Sequence, residues 1–483
     1  MISNQEKQIF KTWSDREALA EAMIPMVGKL YREKNVVVSI YGRQLVNRTV
    51  VNIMKTHRFV RQVEETALGI EDTFAILQAL LTLDLKPARI DIGKLAIKFK
   101  KQNSGVALKE FLKSEITTAL AHTPPVVPAE PRDVVLYGFG RIGRLMARLL
   151  VEKASEFNGM RLRAIVVRKG GDDDLQKRAS LLRRDSVHGS FQGTIRVDEE
   201  ANAMIANGNF IKVIYANAPD QIDYTQHGIN NAILVDNTGS WRDEAGLSQH
   251  LKSRGISNVI LTAPGKGNIK NIVFGVNDHE MDNDPILSAA SCTTNAIVPV
   301  LKAVNDEFGI QFGHMETVHS YTNDQNLIDN YHKHHRRGRS APLNMVITDT
   351  GAAKAVAKAV PELKGKLTGN AIRVPTPNVS LAILNLVLDK KVTVESINDF
   401  LRHCALHSPY QKQIDFSMSP ELVSTDIVGS RFACVVDSVS TIAEDNRVVL
   451  YVWYDNEFGY SIQVYRLLQK LAGVKYPFIP EVE

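Results

Sequence analysis

The 483 residues correspond to about three domains at roughly 150 residues each, and 44% hydrophobic with 23% charged residues excludes a disordered chain. Three scattered cysteines, Cys292, Cys404 and Cys434, exclude a disulfide framework and a zinc site, so no metal is expected and a reducing compartment is the simplest setting. The whole formal charge of +5 sits in residues 1–130, where nineteen Lys and Arg face fourteen Asp and Glu; acids interleave with the bases, which reads as a solvated helical surface and not a nucleic-acid footprint.

The start, MISNQEKQIFKTW, has neither a basic run leading into an apolar stretch nor a small-residue cleavage pattern, and no uninterrupted apolar run of about 18 residues follows. Neither export nor a membrane span is expected. Leu19, Met23, Ile24, Val27, Leu30 and Tyr31 recur at helical spacing after Ser14, a candidate N-cap. Similar periodicity covers Leu45–Val63, Asp72–Leu81 and Val106–Leu120, so residues 1–121 read as a small all-helical domain. The four prolines of HTPPVVPAEPRD predict a semi-rigid linker over 122–133.

Beyond it the pattern becomes α/β. Asp133–Tyr137, Leu162–Val167, Lys212–Tyr215, Ala232–Val235, Asn258–Leu261 and Ile272–Gly275 read as buried strands of a parallel sheet. Val379–Leu388 and Val448–Trp453 read as longer strands of a sheet covered on one face.

Gly138, Gly140 and Gly143 form G-F-G-R-I-G between the first of these strands and an apolar-periodic helix. The first glycine allows a tight turn, the second lets the backbone approach a pyrophosphate, and the third permits close packing, while the helix N-terminus faces the negative charge. A Rossmann-type dinucleotide-binding unit is predicted. Its second strand, LRAIVV, ends in Arg168 and Lys169 where a carboxylate usually accepts hydrogen bonds from the adenosine ribose. Two cations favour a 2′-phosphate and hence NADP over NAD. The alternative is that both are solvated loop charges and that Asp172, Asp173 or Asp174 takes the acid's place.

Ser291-Cys292-Thr293-Thr294-Asn295 opens an apolar helix, AIVPVLKAV. A helix N-terminus stabilises a thiolate, so Cys292 is a candidate nucleophile, whereas Cys404 and Cys434 read as small buried residues. His319, in TVHSYTNDQ some 27 residues later, is placed to reach the thiol from a strand end, where an imidazolium would stabilise the thiolate.

GFGRIGR, DSVHG, SCTTN, TVHSYTNDQ, TGAAKAV, PELKGKLTG, RVPTPNVS and WYDNEFGYS stand in this order between about Val134 and Leu471. With these blocks the chain resembles the phosphorylating glyceraldehyde-3-phosphate dehydrogenases; the first 120 or so residues fall outside the resemblance. It implies a dinucleotide-binding domain over 134–291 with 457–473 and an α+β catalytic domain over 292–456. It assigns Cys292 as nucleophile and His319 as its base. Thr322, Asp324 and Arg373 would line the substrate phosphate, and Ser291, Thr293, Thr350 and Gly351 the inorganic phosphate, with Arg337 preferred over Arg336 as the arginine there. Arg141 and Ile142 would lie at the pyrophosphate, Asn237, Thr238 and Gly239 near the adenine, Thr262 at the sheet edge, and Asn456 with Tyr460 at the nicotinamide.

Six residues at four sites depart from the family pattern. Asn237 replaces a serine, Arg168-Lys169 an Asn-Asp, Asn330-Tyr331 a Leu-Pro, and Ala296 a second cysteine. The second and third weaken an NAD-specific reading. The implied activity is reversible oxidation and phosphorylation of glyceraldehyde 3-phosphate with NADP or NAD, in a cytoplasmic homotetramer, with glyceraldehyde 3-phosphate and inorganic phosphate as its small-molecule partners. An erythrose-4-phosphate dehydrogenase, and a regulatory or scaffold protein whose helical extension binds a partner or nucleic acid, are the alternatives.

Overall fold

The computed structural model describes residues 4–64, 66–102, 105–120, 127–128, 130–154, 159–281 and 283–481. Only helices are expected over 1–121, and here the structure differs. The helix Asn4–Lys34 runs straight through Ser14, which caps nothing, and stops where Asn35 adopts a left-handed conformation (φ 49°). Val36–Ile40 then forms a strand parallel to Ala88–Asp91, with Arg43–Gln44 on one side and Phe478–Ile479, from the far end of the chain, on the other. The helices Val50–Glu64, Ile70–Leu81, Ile92–Gln102, Leu108–Glu115 and Thr117–Leu120 surround this sheet. VVVSI shows no alternation because four of its five side chains are buried, and a short unbroken apolar run cannot be told from helix core by periodicity.

This region is not a separate bead. Met23, Ile53 and Leu77 share one continuous apolar core with Val298, Leu384 and Leu401 of the catalytic region. Polar ties follow the same seam: Arg402 donates to the Val63 carbonyl at 3.3 Å, and His407 pairs with Glu64 at 2.7 Å. Residues 122–126 and 129 of the expected linker lie outside the described residues. Val127 packs on the core of the second sheet, and Arg132 and Asp133 already belong to that sheet's first strand.

The second sheet has eight strands in the spatial order Ile286–Ser288, Ile256–Leu261, Ala232–Asp236, Arg132–Tyr137, Met160–Val167, Asn209–Tyr215, Ala203–Ala206 and Ile195–Asp198. The first six are parallel and the last two form an antiparallel extension. The chain starts in the middle and builds outward both ways, which opens a ligand crevice at the strands' C-terminal ends beside Arg132–Tyr137. Ile272–Gly275 is not a strand: its backbone turns, with Val273 N–H donating to the Asn277 side chain at 2.8 Å, and Ile286–Ser288 takes the edge. The helix Phe458–Leu471 returns to bury Val464, Leu467 and Leu468 in this sheet's core.

The third sheet is mixed, in the order Val346–Asp349, Leu367–Val374, Ile310–Ser320, Ser380–Leu388, Arg447–Tyr454, Cys434–Asp437 and Ile414–Ser417, with Ile442–Glu444 alongside Arg447–Tyr454. Leu384, Leu386 and Leu388 point one way into the core under the helix Cys292–Phe308. Among the described residues, no helix is long and apolar enough to cross a membrane.

Candidate active site

The glycine loop follows the strand Arg132–Tyr137. Gly138 takes φ 91°, and Gly140 caps the helix Arg141–Glu152. A Cβ on Gly143 would stand 2.3 Å from the Gly138 carbonyl oxygen, whereas one on Gly140 would meet nothing within 4 Å. The backbone is therefore closed where strand meets helix and open where a pyrophosphate would lie, so this loop fits a dinucleotide. Ile142 packs inward against the sheet core. Each nitrogen of the Arg141 guanidinium donates once: Nε to Glu457 at 3.0 Å, Nη1 to Asp185 at 2.5 Å, and Nη2 to Glu457. It anchors the helix start to the last helix, with two of its five N–H groups outside these bonds.

At the neighbouring strand end, buried Asp236 accepts from Thr238 N–H at 2.7 Å and pairs with His250 at 3.0 Å. Asn237 donates to the Val235 carbonyl, and Thr262 Oγ1 donates to the Asp236 carbonyl at 3.0 Å. Gly239 turns the loop with φ 63°. These contacts fix the crevice wall opposite the glycine loop.

Arg168 and Lys169 stand exposed at the end of the strand Met160–Val167. Asp174 is buried and already satisfied, accepting from Gly170 N–H at 3.0 Å and from Arg178 Nε at 2.6 Å. Those bonds hold its carboxyl below the usual range although burial opposes them. Asp173 pairs with Lys177 at 2.8 Å, and Asp172 is exposed. Asn330 and Tyr331 lie in another loop, Tyr331 with 90% of its surface exposed.

Cys292 is the first residue of the helix Cys292–Phe308, and the N-cap Ser291 hydroxyl accepts from Thr294 N–H at 3.0 Å. Cys292 Sγ lies 3.5 Å from His319 Nε2. His319 is the penultimate residue of the strand Ile310–Ser320, in register with Arg373 on the parallel neighbour Leu367–Val374, so strand pairing alone brings histidine and arginine together. His319 Nδ1 and Arg373 Nη1 both donate to the Ser320 carbonyl, at 2.7 and 3.0 Å. A carbonyl only accepts, so its contact favours a proton on Nδ1 and a lone pair on Nε2 toward the thiol, while Arg373 Nη1, which can only donate, also stands 2.9 Å from Nδ1.

Burial pushes the Cys292 thiol up, opposed by the Arg373 guanidinium and by backbone N–H groups at the helix start. Burial pushes His319 down to about 3, and Arg373 reinforces the shift. Both influences act against an imidazolium here, and Arg373 is the cation that opposes the rise of the Cys292 thiol. Arg373 Nε is buried without a hydrogen-bond partner, a donor left over for an anion.

The other expected phosphate ligands divide into two sets. Arg337 bonds Thr348 Oγ1 through Nε at 3.0 Å and Asp324 through Nη1, and both Arg337 and Asp324 act electrostatically on Arg373. Thr322 Oγ1 accepts from Asp324 N–H at 3.4 Å in the same loop. Thr350 accepts from Ala352 N–H at 3.2 Å, and Gly351 caps the helix Ala352–Ala359. By contrast, Ser291 Oγ is committed to its cap, and Thr293 Oγ1 faces inward to the Tyr454 hydroxyl at 2.9 Å. Asn456 Oδ1 accepts from Ser320 and Ser380 at 2.9 and 3.0 Å, and Tyr460 donates to the Ala290 carbonyl at 3.0 Å.

Residues that sequence reasoning did not single out hold these groups in place. Tyr454 bridges Thr293 and Thr317; Asp185 and Glu457 clamp Arg141; Thr348 holds Arg337. DSVHG and WYDNEFGYS contain three of them, but their partners lie more than forty residues away, so spacing carries no signal of the pairing.

Two family models match: the NAD binding domain of glyceraldehyde 3-phosphate dehydrogenase over residues 132–244 and its C-terminal domain over 291–456. A glyceraldehyde-3-phosphate dehydrogenase-like protein of Pseudomonas aeruginosa (strain UCBPP-PA14) is 64% identical over 461 residues, 95% of this chain and 100% of the relative. The chain belongs to the glyceraldehyde-3-phosphate dehydrogenase family. Glyceraldehyde-3-phosphate dehydrogenase of Priestia megaterium is 41% identical and glyceraldehyde-3-phosphate dehydrogenase 1 of Bacillus subtilis 40%, each over 70% of this chain and 97% and 98% of the relative. The N-terminal region is thus additional to those two dehydrogenases, while the 461-residue alignment takes in most of it.

Proposed function

We propose that the protein oxidises glyceraldehyde 3-phosphate and captures the acyl group on inorganic phosphate, reversibly, with Cys292 as nucleophile and His319 as its base. The observation that carries this reading is the 3.5 Å contact between Sγ and Nε2 at a helix N-terminus, beside the unpartnered Nε of Arg373. The Cys292 thiol gives its proton to His319 Nε2 and the sulfur bonds to the aldehyde carbon, whose π pair moves to oxygen. His319 orients that oxygen, protonates it and takes the proton back as the carbonyl re-forms. The bound nicotinamide supplies the hydride acceptor. A phosphate oxygen then attacks the thioester carbon, and the carbon–sulfur bond breaks to return the thiolate. The Cys292 backbone N–H stands as oxyanion donor. A substrate phosphate on Arg373 would cancel the guanidinium's effect on His319 and make its protonation easier, coupling substrate binding to base strength.

NADP is preferred to NAD on this reading. Asp174 is spoken for by Gly170 and Arg178, which leaves exposed Arg168 and Lys169 to meet the adenosine ribose. Steady-state rates with glyceraldehyde 3-phosphate, comparing NAD with NADP and phosphate with its omission, test activity and preference together. NADP should serve at least as well as NAD. Arg168→Ala with Lys169→Asp should weaken NADP about tenfold or more, since a charge-assisted hydrogen bond is worth about 1.5–3 kcal/mol before solvent screening. A strong wild-type preference for NAD that the double variant leaves unchanged would end this assignment.

The protein works as a homotetramer in the cytoplasm. Leu327, Ile328, Tyr331, Leu343, Met345 and Ile347 are all exposed in one loop-rich segment, an apolar surface that a subunit contact would cover. Sedimentation as a monomer at micromolar concentration would overturn the assembly.

A further inference from the structure

A cavity of about 350 Å³ lies outside the site described above, where the N-terminal sheet meets the far end of the helix Arg141–Glu152 and the helix Phe458–Leu471. Arg89 enters it from the strand Ala88–Asp91, Lys153 from the helix C-cap, Lys412 from the turn Pro409–Lys412, Arg466 from the last helix, and Arg431 from the loop before Cys434. Lys470 at the wall is neutralised by Asp278 at 2.7 Å, and Arg431 Nη2 by Glu152 at 2.8 Å. Arg431 Nη1 is buried with no hydrogen-bond partner.

Arg89, Lys153, Lys412 and Arg466 form no ion pair with a carboxylate among the described residues. Their contacts are neutral. Arg89 Nη1 donates to the Asn35 carbonyl at 3.1 Å, Lys153 Nζ to Gln44 at 3.4 Å and Arg466 Nη1 to Gln463 at 3.1 Å, while Lys412 Nζ sits 3.4 Å over the Phe478 ring. Gathering like charges in a half-enclosed space destabilises a fold unless something compensates them. Burial, reinforced by neighbouring cations, pushes Lys153 down to about 7, Lys412 to about 8 and Arg466 to about 9.

We infer that this cavity binds a small organic anion carrying two or more phosphate groups. Its volume is that of a small-molecule site. Four basic side chains without an ion pair and a spare Arg431 N–H exceed what one carboxylate or one phosphate can satisfy, and the guanidinium forks suit phosphate oxygens in pairs. Arg89 and Lys412 already cover the Tyr476 and Phe478 rings, so recognition runs through charge and not through ring stacking. The anion would tie the N-terminal region to both helices that frame the dinucleotide unit. A nucleoside polyphosphate and a sugar bisphosphate share this chemistry.

Calorimetric titration and thermal melting of the full-length chain, in low-salt buffer without phosphate and with NAD saturating, test the site. The probes are pyrophosphate, ATP and a hexose bisphosphate. At least one should bind once per chain and raise the melting temperature; the tighter of the last two identifies nucleotide or sugar as the natural source. Lys153→Met with Lys412→Met should weaken it at least tenfold and, without anion, melt above wild type because repulsion is relieved. Lys475→Glu, exposed on the rim, should weaken it at least threefold without disturbing a packed side chain. Failure of all three probes to bind overturns the inference. So does an affinity that Lys475→Glu and the double variant leave unchanged, which would place the anion on the active-site phosphate ligands instead.

Discussion

Cys292→Ser should lower turnover by about 10³-fold or more while cofactor affinity stays within about twofold. A serine hydroxyl in the same place is a far weaker nucleophile, and the thioester that phosphate resolves cannot form. The glycine loop belongs to a different helix start, so binding is insulated from the change. Cys404→Ala and Cys434→Ala are the controls. Burial pushes the Cys404 thiol up to about 11 and the wholly buried Cys434 thiol higher, so neither is a thiolate near neutral pH, and both variants should keep kcat within about twofold. Turnover and cofactor titration on the three proteins check this. An active Cys292→Ser protein, or a folded but dead Cys404 or Cys434 variant, would remove the nucleophile from Cys292.

The parts of this molecule that were legible in sequence are those whose signal is local. GFGRIG carries its own explanation, since turn, open backbone and close packing are each set by one glycine within six residues. SCTTN followed by AIVPVLKAV likewise states a helix start. The N-terminal sheet was not legible, because VVVSI and ARID are too short and too fully buried to alternate, and one partner strand, Phe478–Ile479, lies almost four hundred residues away. The same limit hid the fixing contacts of the site. Nothing near Arg141 announces Glu457, and nothing near Thr293 announces Tyr454; those pairs exist because the last helix and the third sheet fold back over the crevice. The electrostatics around His319 are hidden from the sequence for a related reason. Proximity to a thiol suggests imidazolium, but Arg373, delivered by strand register, makes a second cation beside it unfavourable.

That charge arrangement separates two functions that a cysteine–histidine pair usually confounds. His319→Asn should lower kcat by about 10²–10⁴-fold, the range for loss of a general acid–base, yet leave the pH dependence of Cys292 alkylation by iodoacetamide nearly unchanged. The sign follows from the shifts: an imidazole held down to about 3 is neutral throughout the accessible range, so removing it takes no charge from the thiolate. Arg373→Gln should do the opposite to alkylation. Burial already pushes the thiol up, and Arg373 is the charge that opposes it, so without the guanidinium the reactive thiolate appears only at higher pH. Alkylation at pH 7 should then slow by about tenfold, with its midpoint moved upward, a tenfold loss of thiolate being about 1.36 kcal/mol of charge stabilisation. Alkylation rates from pH 5 to 10 on wild type and both variants, beside kcat for each, decide it. A midpoint that moves with His319→Asn and stays put with Arg373→Gln would show that a thiolate–imidazolium pair, and not the arginine, sets the reactivity of Cys292.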